Sequence, residues 1–290
     1  MTKPRVAVLG LGIMGQGMAG RLLSAGFPLA VYNRKPEKAE HLQSAGAFVA
    51  RTPREAAARA EVVISMVADD VASRAVWLGP DGALAGAAPG TVLVESSTLT
   101  TGWVHELAAA ACQHECEFLD APVTGTKPHA AAGELLFLVG GAASTLAAVK
   151  PVLSVMSRDI IHLGPTGAGA MLKLINNFMC GVQAASLAEA MSLLEVSGLD
   201  REKALAVLTN GAPGSPLVKI LSARATAGDF TPNFMLSAMA KDINYALEEG
   251  ERRGITLETG ISARKVFQQA IAAGYADKDF SAVIESRRKR

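Results

Sequence analysis

The sequence is poor in aromatic residues and cysteines and has almost no net charge. Phenylalanine, tyrosine and tryptophan make up 5% of the 290 residues, only three cysteines occur, and the formal net charge is +1. A nearly neutral chain gives no electrostatic argument for binding nucleic acid. We therefore expect no nucleic-acid partner and interpret the basic residues 287–290 as a solvated terminus.

The small, odd number of cysteines predicts free thiols. The first apolar run begins at Val6, which leaves no room for a secretion signal, so we expect a cytoplasmic protein. Cys112, His114 and Cys116 lie close together in the sequence. Their spacing matches no common zinc pattern, and no second ligand pair follows, so we predict no metal site. The remaining histidines are scattered and do not indicate a hydrolase triad.

Strand-like apolar runs alternate with helical segments in the first part of the chain. They cover residues 6–9, 29–32, 62–67, 92–95, 118–123, 135–139 and 160–163. This alternation is typical of a mostly parallel sheet that is covered by helices on both faces. We predict an α/β domain over residues 1–164.

The pattern changes after Leu163 to helices only. Gly164, Pro165 and Gly167 interrupt the chain, and one helical stretch follows from 168 to 197 and ends before Gly198. At 1.5 Å per residue this helix is about 45 Å long, and polar residues along it exclude a membrane span. Further helices are predicted at 201–208, 236–253 and 258–273. We expect an all-α domain at 165–290 that forms a homodimer or homotetramer.

A glycine-rich turn links the first strand to the first helix. Gly10 allows a sharp turn, Gly12 allows the backbone to approach a pyrophosphate, and Gly15 allows close packing of helix and strand. The phosphates would then meet the N-terminus of a helix. The turn predicts a dinucleotide-binding Rossmann domain, with cofactor contacts from Gly10, Leu11, Gly12, Ile13, Met14 and Gly15.

The residues after the second strand favour NADPH over NADH. Asn33 and Arg34 occupy the place where an acidic residue would bind the adenosine ribose. Arg34 can form a paired hydrogen bond with a 2′-phosphate, and Asn33 can hydrogen-bond the same phosphate without an opposing charge. The alternative is that Arg34, Lys35 and Lys38 form an ordinary solvated face.

Other turns lie at the predicted carboxyl ends of strands, where such sheets bind ligands. They supply Val67 and Ala68 after one strand, Thr98 after the next, and Thr124, Gly125 and Thr126 after another. On the long helix, Lys173 and Asn177 are four residues apart and share a face. Lys173 is flanked by apolar residues, and desolvation would favour its use in proton transfer. The alternative is a lysine that extends to solvent beside a structural asparagine.

Three segments together resemble the β-hydroxyacid dehydrogenase family. They are G-L-G-I-M-G at 10–15, F-L-D-A-P-V-T-G at 118–125, and G-A-G at 167–169 followed by Lys173 and Asn177. The resemblance covers nearly the whole chain. It implies that Lys173 is the catalytic acid/base, that Asn177 assists it, and that Thr98 borders the nicotinamide and substrate.

The resemblance also implies roles for two further groups of residues. In the α/β domain, Thr124, Gly125 and Thr126 would bind the carboxylate of the substrate. In the helical domain, the family pattern places Lys241 at the cofactor, and Phe234 and Asp242 at the substrate.

Thr126 and the segment 279–283 resemble the glyoxylate and succinic semialdehyde reductase branch. We therefore expect NADPH-dependent reduction of a small aldehyde acid. Ser237 stands near the position of a lysine that this branch usually carries, which weakens the predicted grip on a distal carboxylate. The alternatives are a 3-hydroxyisobutyrate-type dehydrogenase that works oxidatively and a non-catalytic dinucleotide-binding module that forms oligomers.

Overall fold

The computed structural model describes residues 2–287 and divides the chain into two compact units. One unit extends to Lys173 and the other begins at Leu174. Residues 288–290, which belong to the expected solvated terminus, lie outside the described part. The division falls inside one long helix, so each unit is described separately below.

The first unit contains a nine-stranded sheet. Its strands are β1 (Val6–Leu9), β2 (Leu29–Tyr32), β3 (Phe48–Val49), β4 (Val62–Ser65), β5 (Val92–Glu95), β6 (Glu117–Asp120), β7 (Val123–Thr124), β8 (Leu135–Gly141) and β9 (Ser157–Gly164). The strand order is β3-β2-β1-β4-β5-β6-β8-β7, and β9 pairs with β8. All pairs from β3 to β6 are parallel, as is β8 with β9, whereas β8 runs antiparallel to β6 and β7. The prediction of a mostly parallel sheet is confirmed.

Twelve α-helices are present in the described residues. They are α1 (Ile13–Ser24), α2 (Glu40–Ser44), α3 (Pro53–Ala57), α4 (Asp70–Trp77), α5 (Thr101–Gln113), α6 (Lys127–Ala132), α7 (Ala143–Leu153), α8 (Ala168–Val196), α9 (Arg201–Asn210), α10 (Pro216–Ala227), α11 (Leu236–Arg252) and α12 (Glu258–Ala270). Short 3-10 turns cover Pro36–Ala39, Ala83–Ala85, Ser154–Met156, Phe280–Val283 and Glu285–Arg287.

The sheet is buried on both faces because alternate residues of its central strands enter different cores. In β1, Val6 and Val8 belong to one apolar cluster and Ala7 and Leu9 to the other. Each valine or leucine that is removed from water in this way contributes about 1.5–3 kcal/mol. This two-sided burial explains why the strands read as uninterrupted apolar runs in the sequence.

One predicted strand is divided in the structure. The segment 118–123 forms β6 up to Asp120 and resumes as β7 at Val123. Pro122 has no N–H to donate to the ladder, and only its carbonyl is used, by Leu138 N–H at 2.9 Å. The break is therefore a consequence of the proline, and it places Thr124 at the start of a new turn.

Other boundaries differ by a few residues. The strand predicted at 62–67 ends at Ser65, and β3, a two-residue edge strand, has no clear pattern in the sequence. The helix predicted at 258–273 ends at Ala270 and continues as a π-turn, Ile271–Tyr275, in which Gly274 has φ +89°.

The second unit is helical. From Leu174 to Arg287 the described residues form helices and turns, apart from an isolated bridge between Met235 and Asp279. α8 ends one residue before the predicted end. α10 was not predicted, although Ser215 caps it, Pro216 begins it and Gly228 ends it, which is a recognisable pattern. None of the described helices combines the length and the apolar character that crossing a bilayer requires.

Candidate active site

The glycine turn between β1 and α1 has the geometry of a phosphate-binding turn. Gly10 has φ +97°, a conformation that favours glycine. A Cβ on Gly15 would lie 2.0 Å from the carbonyl oxygen of Gly10, so only glycine allows this helix to pack on the strand. A Cβ on Gly12 would have no atom within 4 Å, and its φ of −75° suits any residue. The space in front of Gly12 therefore fits the close approach of a pyrophosphate at the start of α1.

Asn33 connects this turn to the end of β2. Its Oδ1 accepts a hydrogen bond from Leu11 N–H at 2.9 Å, and its Nδ2 donates to the Lys35 carbonyl at 2.8 Å. The side chain that we expected at a 2′-phosphate thus holds two turns together. Arg34, the next residue, is exposed. No carboxylate stands directly at the end of β2 to repel a phosphate, and the charged residues that follow the strand are Arg34 and the exposed Lys35.

The turns after β4 and β5 are joined by buried hydrogen bonds. Val67 N–H donates to Ser97 Oγ at 2.8 Å, and Ser97 N–H donates to Glu95 Oε1 at 2.9 Å. Ala68 is exposed and Thr98 is half-buried, so both lie at the accessible edge of these turns.

Glu95 is the centre of this arrangement and was not predicted as a site residue. Its Oε2 accepts from Ser73 Oγ and Trp77 Nε1, both at 2.7 Å, and the residue is 1% exposed. Burial raises the pKa of Glu95, and the hydrogen bonds from Ser97, Ser73 and Trp77 partly oppose this rise. A carboxylate at the end of an otherwise apolar strand was the feature in the sequence that could have revealed it.

Asp70 makes a second link between the same turns. Its two carboxylate oxygens accept from Thr100 N–H at 3.0 Å and from Thr100 Oγ1 at 2.6 Å. The edge of the sheet that carries Val67 and Thr98 is therefore rigidly built.

The loop at residues 124–126 combines a tight turn with a helix cap. Gly125 has φ +126°, and Thr126 is the N-cap of α6. Thr126 N–H donates to His129 Nδ1 at 3.2 Å, and the Thr126 hydroxyl lies 3.1 Å from the same nitrogen. Thr126 is thus engaged within its own loop. Of the other two residues expected to bind a carboxylate, Thr124 is half-buried and Gly125 is exposed.

Lys173 is the sixth residue of α8 and belongs to the same unit as the glycine turn and the loop at 124–126. It is 9% exposed. Its burial fits the desolvated environment that the sequence predicted for it, and its role in proton transfer stays a prediction.

Asn177 and two predicted residues of the helical unit form one hydrogen-bonded group. Asn177 Nδ2 donates to Asp242 Oδ2 at 2.5 Å, and Lys241 Nζ lies 2.8 Å from Asp242 Oδ1. Asn177 Oδ1 accepts from Asn176 Nδ2 at 2.9 Å. Asp242 is 1% exposed in its side chain. Asp242 therefore contacts both Asn177 and Lys241, and its expected contact with the substrate stays a prediction.

Phe234 packs within the helical unit. Its ring meets that of Phe280 edge to face at 5.7 Å, and its N–H donates to Asp279 Oδ2 at 3.2 Å. The buried Asp279 also accepts from Asn233 N–H at 3.0 Å, so this carboxylate shapes the segment that precedes α11.

The cysteine and histidine cluster has ordinary structural roles. All three cysteines of the chain are free, as predicted. The buried Cys116 directs its thiol to the carbonyls of Ala88 and His114, and burial raises its pKa. Within residues 2–287, no group of three or more potential ligands could hold a metal ion.

In comparisons with known proteins, both parts of the chain match protein families. Residues 5–164 match the family described as the NAD binding domain of 6-phosphogluconate dehydrogenase. Residues 167–286 match the family described as NAD-binding of NADP-dependent 3-hydroxyisobutyrate dehydrogenase.

Individual relatives match over almost their full length. The NAD-dependent L-serine dehydrogenase of Pseudomonas aeruginosa is 35% identical, with 96% of each chain covered. The L-threonate dehydrogenase of Cupriavidus necator is 32% identical, over 97% of this chain and 95% of that protein. The structure of Mycobacterium tuberculosis 3-hydroxyisobutyrate dehydrogenase with L-serine is 35% identical, has a TM-score of 0.90, and covers 99% of this chain and 100% of that chain.

Proposed function

Because this chain belongs to the 3-hydroxyisobutyrate dehydrogenase-like β-hydroxyacid dehydrogenase family and is an NAD(P)-dependent dehydrogenase acting on CH–OH groups, we propose that it oxidises a small 3-hydroxy acid. The observation that carries the proposal is Lys173, a buried lysine in the unit that holds the glycine turn. L-Serine, 3-hydroxyisobutyrate and L-threonate, the compounds in the names of the relatives, are all short acids with a hydroxyl group. They define the substrate class that we propose here.

The residues of this chain bind and orient the substrate and take up its hydroxyl proton. The glycine turn at 10–15 would hold the dinucleotide, whose nicotinamide would supply the hydride acceptor for the carbinol carbon of the substrate. Lys173, as its neutral amine, takes the proton of the substrate hydroxyl. Thr124 and Gly125 bind the carboxylate by a hydroxyl and a backbone N–H, which replace its hydration. Asn177, which Asp242 holds by a 2.5 Å hydrogen bond, stays in one orientation as it assists Lys173.

We propose that Arg34 makes NADP the preferred cofactor. The guanidinium is exposed at the end of β2, where an acidic residue would otherwise favour NAD. The relative from P. aeruginosa is named as NAD-dependent, so the comparison of both cofactors is part of the test below.

A second candidate is the reverse reaction, NADPH-dependent reduction of glyoxylate or succinic semialdehyde. Arg34 favours it, because NADPH serves reductive reactions. Lys173, as its ammonium form, would then donate the proton to the carbonyl oxygen. The names of the relatives support the oxidative reaction better. Ser237, in place of the usual lysine of the reductase branch, also weakens the reductive alternative.

Steady-state kinetics in both directions test the proposal. The panel consists of L-serine, 3-hydroxyisobutyrate and L-threonate with NADP+ and NAD+, and of glyoxylate and succinic semialdehyde with NADPH and NADH. We expect the highest kcat/KM for a hydroxy acid with NADP+. Cofactor binding without turnover of any substrate would contradict the proposal and favour a non-catalytic module. A preference for the aldehydes would favour the second candidate.

The role of Lys173 is tested by Lys173→Met, which keeps an unbranched side chain of similar length and removes the amine. We expect kcat to fall by at least about 100-fold, the usual scale for general acid–base catalysis, while the protein still binds the cofactor. Lys150→Met changes an exposed lysine of the same unit and is the matched control. Turnover of Lys173→Met within a few fold of the unmodified protein would exclude this role.

A further inference from the structure

We propose that Asp120 is a positioning residue that holds the first turn of α8, and with it Lys173, in place for proton transfer. The inference rests on the proposed function, because it takes Lys173 as the acid/base. Asp120 acts through the helix. Its role differs from that of Asp242, which orients Asn177 and Lys241.

The carboxylate of Asp120 is bonded to the start of α8. Asp120 ends β6 and is fully buried, with 0% exposure. Its Oδ1 accepts from Gly167 N–H at 2.8 Å and its Oδ2 from Ala170 N–H at 2.8 Å. These N–H groups belong to the end of the helix that lacks internal partners, and the negative charge complements the positive end of the helix dipole. Lys173 follows Ala170 by three residues, less than one helical turn.

Glycines around this cap allow the start of the helix to pack closely against the sheet. A Cβ on Gly169 would lie 2.2 Å from the Leu138 carbonyl oxygen and 3.0 Å from Asp120 Oδ2. A Cβ on Gly140 would lie 2.5 Å from Asp120 Oδ1. The helix therefore begins pressed against β6 and β8, with the carboxylate between them. A displacement of this cap therefore also displaces the backbone of Lys173.

The chemistry of the cap explains why an aspartate is needed. Burial raises the pKa of Asp120, and the N–H groups of Gly167 and Ala170 oppose the rise. An asparagine keeps one accepting oxygen but turns its NH2 group toward the other N–H. One buried donor then loses its partner, which destabilises the cap and shifts the helix start.

The test compares Asp120→Asn with the unmodified protein on the best hydroxy acid. We expect kcat to fall about 10- to 100-fold, the effect of a misplacement of about 1 Å. We expect the KM of the hydroxy acid and the Kd of the cofactor to stay within about twofold, since neither contact is removed. The solvent isotope effect of D2O on kcat should increase, because proton transfer becomes slower than the steps around it.

Two further variants complete the design. Asp200→Asn removes a carboxylate that caps α9 by a bond to Lys203 N–H, and it is the matched control with unchanged kinetics expected. Gly140→Ala keeps the charge of Asp120 and places a Cβ 2.5 Å from Asp120 Oδ1, 2.8 Å from the Pro165 carbonyl oxygen and 2.9 Å from the Ala168 nitrogen, so it displaces the same cap. It should also lower kcat, and it replaces Asp120→Asn if that variant does not fold.

The outcomes separate this inference from the proposed function. If Lys173→Met is inactive and both Asp120→Asn and Gly140→Ala keep the kcat of the unmodified protein, the positioning role is wrong and the proposed function stands. A lower kcat together with an equally large rise in KM and in the Kd of the cofactor would indicate general disruption of the fold, and it would also overturn the positioning role. If Lys173→Met is active, the proposed role of Lys173 fails first.

Discussion

Gly12 and Gly15 belong to the same turn, but the structure predicts opposite consequences for an added methyl group. A Cβ on Gly12 meets no protein atom within 4 Å, and its backbone suits alanine. Gly12→Ala should therefore fold normally and gain about 0.4–1 kcal/mol, because alanine restricts the unfolded chain. The methyl group would occupy the space expected for the pyrophosphate.

The loss of cofactor affinity can be estimated from the bonds that are displaced. A hydrogen bond from a backbone N–H to a charged phosphate contributes about 1.5–3 kcal/mol. At about 1.4 kcal/mol per factor of ten, the loss of one such bond weakens cofactor binding about 10- to 100-fold. Gly12→Ala should thus bind cofactor poorly and still be as stable as the unmodified protein.

Gly15→Ala should lose both stability and cofactor affinity. Its Cβ would be placed 2.0 Å from the Gly10 carbonyl oxygen, so helix and strand must separate by more than 1 Å, and such overpacking costs about 1–3 kcal/mol. Gly20→Ala in the same helix is the control. Its Cβ has no neighbour within 4 Å, so it should raise stability and leave cofactor affinity unchanged.

Thermal unfolding without cofactor gives the stability of the three variants, and calorimetric titration with NADP+ gives their affinities. The reasoning is refuted if Gly12→Ala binds NADP+ as well as the unmodified protein does. It is also refuted if Gly12→Ala unfolds at a lower temperature, because the glycine would then serve the fold.

Three further predictions concern the cofactor, the substrate and pH. Arg34→Ala should weaken NADP+ about 10- to 100-fold and leave NAD+ nearly unchanged, since a charge-assisted bond of about 1.5–3 kcal/mol to the 2′-phosphate is lost. Thr124→Val keeps the shape and removes a hydroxyl, so it should raise the KM of a hydroxy acid about tenfold and scarcely affect a neutral alcohol of similar size. Glu95→Gln should remove a pH-dependent part of the free energy of unfolding. Burial raises the pKa of Glu95 above its ordinary 4.5, so the folded protein retains a proton at pH values where the unfolded chain has lost it. The stabilising effect of Glu95 relative to glutamine is therefore greatest below about pH 4.5 and declines as the pH rises.

Each of these predictions has a direct check. For Arg34→Ala, equal changes in the Kd of both cofactors would mean that the arginine is an ordinary surface residue. For Thr124→Val, equal losses for the acid and the alcohol would mean that the loop does not recognise a carboxylate. For Glu95→Gln, urea unfolding between pH 4 and 8 should show a difference from the unmodified protein that depends on pH, and a constant difference would contradict the assigned burial effect.

Local sequence patterns determined much of the fold. Apolar runs predicted β1, β2 and β5 at their observed bounds, because a strand that is buried on both faces has no polar alternation. The helical stretch that begins after Gly167 and ends before Gly198 predicted α8 to within one residue of its end. The glycine spacing at 10–15 also predicted the turn, because the positive φ of Gly10 and the contact of Gly15 with the Gly10 carbonyl are constraints that act within a few residues.

Only the tertiary structure decided how the side chains of the site are held. Asn177 and Asp242 are 65 residues apart, and Asp120 is 50 residues from Ala170, yet both pairs are hydrogen-bonded. No periodic pattern connects such positions, because their meeting depends on the order of strands and the packing of helices. For the same reason only the fold shows that the Asp242 carboxylate contacts Asn177 and Lys241. The residue types predicted the chemistry, whereas the long-range contacts decided which of them are oriented for it.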